Sequence, residues 1–180
     1  MTLIDQVTQE VNEVMGMIDE SQLDQAEKLI QKDRRIFVLG AGRSGLMAKG
    51  FAMRLMHIGY TVFVIGETIT PSIQAGDVLL AVSGSGKTAS ILELAEKAAA
   101  SGVTVIAVTS HADSPLGKVG QAVIVVTGAT KTGDGVKSIQ LLSTLFDQSV
   151  HLTLDVLCLK LSRRDKVSND AAAATHSNME

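Results

Sequence analysis

The chain of 180 residues reads as an α/β domain, a sheet with helices on both sides. Beyond residue 35, short runs of Val, Ile and Leu alternate with helical patterns. The runs are continuously apolar, as strands buried on both faces require. Two of them end alike, in glycine, any residue, glycine, a basic residue and a hydroxyl: Gly40-Ala41-Gly42-Arg43-Ser44 and Gly84-Ser85-Gly86-Lys87-Thr88. A helical pattern follows each, so both mark strand-to-helix turns.

Leu3, Val7, Val11, Val14 and Ile18 recur at helical spacing, with Thr2 and Asp5 placed as a capping pair, and a second helix starts at Ser21, supported by Asp24. Strands are expected at residues 36–39, 61–65, 78–82, 103–108 and 122–126, with helices over 44–57 and 88–100. Residues 128–135 are small, polar and glycine-rich, which predicts a mobile loop able to close over a ligand. Residues 138–161 form a last long helix that is apolar on more than one face, so subunit association is expected. The tail from Asp165 to Glu180 fits either a frayed or a docked end. The chain is expected to be one domain over residues 1–180: N-terminal helices over 1–32, an α/β core with the long helix over 33–165, and a tail over 166–180.

A 46% apolar composition supports a proper core, and a formal net charge of −3 with a pI near 5.8 argues against a nucleic-acid partner. Cys158 is the single cysteine and lies in an apolar helical pattern, so no disulfide forms within the chain and a cytoplasmic setting is expected. No basic n-region opens the chain, and no apolar stretch is long enough to span a bilayer, so no membrane partner is expected.

The two glycine turns are anion-binding hardware, because glycine permits close backbone approach and the first amides of a helix carry partial positive charge. Side by side in a parallel sheet, they would grip one ligand together. Gly40-x-Gly42-x-x-Gly45 satisfies a dinucleotide fingerprint, with Glu67 as the ribose-binding acid, but this leaves the second turn without a role. Residues 81–88 nearly spell a P-loop, yet Ala81 stands where the first glycine belongs and no strand ends in a magnesium-binding aspartate. A sugar-phosphate site uses both turns: Ser83, Ser85 and Thr88 put three hydroxyls around one loop, and with the amides of Gly86 and Lys87 they surround a phosphate without any metal. Serine and threonine are favoured at helix starts on capping grounds alone; the duplication decides for the ligand.

Gly-Ala-Gly-Arg-Ser-Gly at 40–45, Met53-Arg54-Leu55-Met56-His57, Ser-Gly-Ser-Gly-Lys-Thr at 83–88 and the ending His176-x-Asn178-x-Glu180 together resemble the sugar isomerase (SIS) domain family, and within it the 6-phospho-3-hexuloisomerases. The resemblance implies a three-layer αβα sandwich around a five-stranded parallel sheet of flavodoxin-like order, and a homotetramer. It also implies interconversion of 3-hexulose 6-phosphate and fructose 6-phosphate in the ribulose monophosphate route, without a cofactor. Carried over, Ser83, Ser85 and Thr88 with Ser44 bind the phosphate, Arg43 lies beside the sugar, and His57, His176 and the carboxylate of the last helix move protons. That carboxylate departs from the family: Phe146-Asp147-Gln148 replaces Phe-Glu-Gln, and Gln140-Leu141-Leu142-Ser143 lacks the usual Pro-Met-Gly. One methylene less withdraws the carboxylate by about 1.5 Å.

Moving a ketone from C3 to C2 requires proton removal at C2, a stabilised cis-enediol and proton return at C3. Asp147 is the expected base, His57 or His176 the acid or shuttle, and Arg43 the group that stabilises the enediolate. His111 and His151 are expected to be bland, and Tyr60 has no role assigned. A non-catalytic sugar-phosphate sensor is the competing class; residues 1–32 lack the basic face of a DNA-binding helix-turn-helix.

Overall fold

The computed structural model describes residues 1–130 and 136–179, and its first helices begin at local caps. Thr2 and Asp5 close a capping box on α1 (Leu3–Gly16), and Asp19 caps α2 (Glu20–Leu29) by accepting from the Ser21 amide. The second helix thus opens one residue before the expected Ser21. From there the chain alternates: β1 (Ile36–Gly40), α3 (Gly42–His57), β2 (Val62–Val64), β3 (Val78–Val82), α4 (Ala89–Ala100), β4 (Thr104–Thr109), α5 (Pro115–Val119) and β5 (Ala122–Val125). The long α6 (Thr144–Arg164) and a short α7 (Asn169–Ala174) complete it.

The five strands are all parallel, in the order β2-β1-β3-β4-β5. Side chains alternate across the sheet. Ile36, Val38, Leu80 and Ile106 join residues of α1, α2, α3 and α6 in one core, whereas Phe37, Leu39, Leu79 and Val105 join α4 and α5 in another. These are the three layers of an α/β sandwich. Among the described residues, no helix is long and apolar enough to cross a membrane.

α6 starts at Thr144, six residues later than the pattern predicts. Leu142 adopts a left-handed conformation with φ of 56°, which no helix interior accommodates, and Glu10 of α1 draws residues 138–140 into another path. The apolar circumference of α6 has partners within the chain: α1 and α2 lie along it beside α3, and the Thr153 hydroxyl reaches the Met15 sulfur. Leu152 and Leu159 of α6, with Leu46, Met53 and Met56 of α3, stay exposed. Cys158 is buried and its thiol pKa is pushed up to about 11 by that burial.

Two short helices were not anticipated. Ser114 caps α5 through the Gly117 amide, and Pro115 takes its first turn; Ser168 caps α7 through Ala171. α7 docks the tail on α3, where the Thr175 hydroxyl donates to the His57 carbonyl at 2.8 Å. Tyr60 also has a place. Its hydroxyl donates to Asp165 at 2.5 Å and accepts from Arg164 at 2.6 Å, while the same guanidinium donates to the carbonyls of Glu27 and Ile30. One cation thereby ties the end of α6 to the end of α2 and to the turn after α3. Burial first, then the bond to Asp165, raise the Tyr60 pKa, so the phenol stays protonated. Tyr60→Phe should cost about 1–2 kcal/mol, read as a lower urea midpoint with unchanged slope.

Candidate active site

The strand order turns back at β1, which pairs with β2 on one side and β3 on the other. In such sheets ligands bind where adjacent strands send their connections opposite ways. Gly40 lies beside Val82, so both glycine turns leave the sheet at one level. Close approach is built in: a Cβ on Gly45 would sit 2.6 Å from the Gly40 carbonyl oxygen. α3 packs this tightly on β1 only because residue 45 is glycine.

The second turn is held from behind. The Gly84 carbonyl accepts from the Ser110 amide, the Ser110 hydroxyl at 2.6 Å and the Thr109 hydroxyl at 3.2 Å, all at the end of β4. His111 lies 2.7 Å from the same Ser110 oxygen, so this loop histidine helps back the turn. Gly86 has φ of 63° and is pressed against Ser114, where any Cβ would clash at 2.3 Å. Within the turn, Ser83 and Thr88 hydroxyls lie 3.0 Å apart and Lys87 donates its amide to the Ser85 hydroxyl. The amides of Gly86 and Lys87, expected to face a phosphate, are thus spent inside the loop, Gly86 on the Ser83 carbonyl. At the start of α4 the Ile91 and Leu92 amides both donate to the Thr88 carbonyl, so the amides ahead of them, at Ala89 and Ser90, are the ones placed to meet an anion. The Lys87 side chain is exposed.

A cleft of about 270 Å³ lies between the two turns, lined by Ser44, Ser83, Ser85, Thr88, Thr130 and Ser143 with the backbone around Gly42 and Gly84. Ligand pockets more often measure roughly 300–1,000 Å³, so this space suits a compact polar molecule better than a dinucleotide. Glu67 lies outside it, 3.9 Å from Lys49 on the surface. Asp147, in the first turn of α6, is fully buried behind the cleft. Its two oxygens accept from Ser44 at 2.6 Å and Ser143 at 2.9 Å. Burying a carboxylate is costly unless hydrogen bonds replace its water, and these two hydroxyls do so. Arg43 reaches across to the Thr144 hydroxyl at 3.1 Å.

The structure therefore brings Ser44, Ser83, Ser85 and Thr88 to the cleft wall, with Asp147 bonded to Ser44 behind it and Arg43 next to Ser44 in sequence, bonded to Thr144 at the start of α6. It does not bring His57 and His176 there. His57 ends α3, thirteen residues from Ser44 and so roughly 20 Å along the helix. The two imidazoles stack on each other, with centroids 5.0 Å apart and planes 20° apart. Ser143 and Thr130 enter the cleft without having been singled out in the sequence. Ser143 lies in a stretch that reads as the last helix and Thr130 in a glycine-rich one, and only tertiary packing reveals them: a Cβ on Gly128 would meet the Phe146 backbone at 2.6 Å, so glycine there lets the chain pass close over α6 toward Thr130. The rest of the expected loop, residues 131–135, lies outside the described residues.

The SIS domain model matches residues 28–152. Over 97% of its length the chain is similar to the 3-hexulose-6-phosphate isomerases of Mycobacterium gastri, 38% identical over 88% of that protein, and Bacillus subtilis, 36% identical over 96% of that protein. It is also similar to a Methanococcus jannaschii protein whose crystal structure infers a molecular function of 3-hexulose-6-phosphate isomerase, with 29% identity, a TM-score of 0.83 and 98% of each chain covered. With the sheet order, the switch-point cleft and these full-length likenesses in agreement, the chain belongs to the SIS domain family.

Proposed function

We propose that this chain is a 6-phospho-3-hexuloisomerase that interconverts 3-hexulose 6-phosphate and fructose 6-phosphate through a cis-enediol. The observation that carries the proposal is the Ser44–Asp147 bond, which sets a buried carboxylate one hydroxyl away from a cleft lined by the serine and threonine turn. Relatives named for this reaction align with nearly the whole chain. The substrate phosphate lies against the hydroxyls of Ser83, Ser85 and Thr88 and the opening amides of α4. From the 3-ketone, the C2 proton passes to Ser44 Oγ as Ser44 gives its own hydrogen to Asp147. Reversal of the relay delivers a proton to C3, while the hydroxyl proton on O2 moves to O3. Arg43, beside the mouth of α6, stabilises the enediolate oxygen.

The imidazoles of His57 and His176 are the groups suited to shuttle the oxygen-bound proton at neutral pH. At roughly 20 Å along α3 from Ser44, they serve a cleft only when another copy presents them, and His176 is the exposed member of the pair while His57 is buried beneath it. A homotetramer in the cytoplasm, working in formaldehyde fixation by the ribulose monophosphate route, fits this reading, and the exposed Leu46, Met53, Met56, Leu152 and Leu159 on α3 and α6 provide apolar surface for assembly.

Incubation with enzymatically generated 3-hexulose 6-phosphate, followed by coupled reduction of a nicotinamide as fructose 6-phosphate forms, should give turnover. Binding without turnover would make the chain a sugar-phosphate sensor. Asp147→Asn should lower kcat about a hundredfold with KM nearly unchanged, and full retained activity removes the relay. Ser85→Ala combined with Thr88→Ala should raise KM by at least roughly tenfold while the unfolding midpoint holds, because charge-assisted bonds to phosphate are lost. Removal of residues 175–180 should lower kcat, and unchanged kinetics would take His176 out of the mechanism.

A further inference from the structure

Ser143 occupies the cap position of α6 but makes no capping bond. A serine there ordinarily accepts from an amide in the first turn. Here it donates to the carboxylate of Asp147 instead, at 2.9 Å. A hydroxyl carries one hydrogen and two lone pairs, so with the hydrogen committed inward the cleft meets lone pairs only. Ser44, on the opposite side of Asp147, is in the same state. The two hydroxyls of this wall therefore accept and do not donate, and the buried Asp147 carboxylate stands behind them.

The segment that delivers Ser143 is held under constraint. Glu10 of α1 accepts from the Ile139 amide at 2.7 Å, the Ser138 hydroxyl at 2.7 Å and the Gln140 side-chain amide at 3.2 Å. Leu142, the residue before Ser143, is forced into the left-handed region at φ of 56°, and the Thr144 hydroxyl donates back to the Leu141 carbonyl at 2.7 Å. A bulky side chain in that conformation persists only when its surroundings over-determine it, and such residues concentrate at functional sites. Three tethers and one strained residue fix where Ser143 points.

We propose that Ser143 is a specificity-determining residue: locked by Asp147 as a hydrogen-bond acceptor, it receives a hydroxyl of the substrate's sugar portion and so fixes which way round the ligand lies. The proposal rests on the isomerase reading and adds to it the polarity of the cleft. A phosphate dianion only accepts, so it is repelled by the wall of Ser44 and Ser143 and drawn to the turn of Ser83, Ser85 and Thr88. Sugar hydroxyls can donate, so they are drawn the other way. One orientation is allowed and the reversed one places anion against lone pairs. Ser44 accordingly faces the sugar portion in this state, and the phosphate depends on the 83–88 turn.

Titration of the full-length protein with fructose 6-phosphate and, separately, with inorganic phosphate tests this. Ser143→Ala should weaken fructose 6-phosphate about tenfold and leave phosphate affinity unchanged, because one hydrogen bond to the sugar is lost. Ser143→Thr, which keeps the hydroxyl, should restore affinity to within about threefold. Glu10→Ala leaves every cleft residue in place and only loosens the segment; it should weaken the sugar phosphate by roughly threefold and phosphate not at all. Unchanged fructose 6-phosphate affinity in Ser143→Ala, or an equal loss for both ligands, overturns the inference while leaving the isomerase reading intact. A wild-type protein that takes phosphate but no fructose 6-phosphate overturns both.

Discussion

Parallel pairing of β1 with β3 over five residues is the constraint on which the site depends. It sets Gly40 level with Val82, and every later feature of the cleft follows from two turns leaving the sheet at one edge. The far end of the same pair is clamped by Arg35, whose guanidinium grips the Asp77 carboxylate through two bonds. That fork geometry favours one relative position of the strands over a slipped one. In a sheet buried on both faces a one-residue slip of β1 would also exchange its faces, moving Phe37 to the side of Leu80 and Val38 to the side of Leu79. Register is thus fixed by packing through its length and by charge at one end, which leaves the other end open for the ligand.

Within that frame, Asp147 organises the polarity. A carboxylate with no exposure needs donors, and the chain supplies two hydroxyls from segments about one hundred residues apart in sequence, one before and one within reach of α6. Satisfying the carboxylate uses up the hydrogens of Ser44 and Ser143. The same bonds that make the burial tolerable give the cleft an accepting side, opposite the donor-rich side at the start of α4. Stability of the buried charge and orientation of the ligand are consequences of one arrangement.

Strands and glycine turns were legible because they obey local rules: continuous apolar runs, and glycine where φ is positive at Gly42 and Gly86. The start of α6 was not, because residues 138–143 keep a helical apolar pattern while Glu10, from a helix nearly 130 positions away, holds them elsewhere. Nor was the state of the amides at Gly86 and Lys87, which depends on how the turn closes on Ser83 and Ser85. α5 carried readable signals in Ser114 and Pro115, but five residues offer no periodicity to set against a loop. Asp147 was picked out by motif, and its burial was legible in its apolar neighbours; the hydroxyls that turn it from a solvent-facing base into one end of a relay were not, since no spacing in the sequence encodes a contact between residues 44, 143 and 147.

α3 links the two chemistries of the chain. Its first turn carries Ser44 at the cleft, and its last turn carries Arg54 and His57, where the helix dipole favours a cation. The tail adds His176 to that end by docking on the His57 carbonyl and stacking on its ring. A helix of fixed rise does not bring its two ends together, so under the proposed mechanism the imidazole pair would meet a carboxylate relay only across copies of the chain. Between the two ends run the exposed Leu46, Met53 and Met56, which would give such a contact its apolar surface. Under the proposed mechanism, association is then a condition of turnover and not an addition to it: an isolated chain would hold the phosphate and the base, and lack the group that shuttles the oxygen-bound proton.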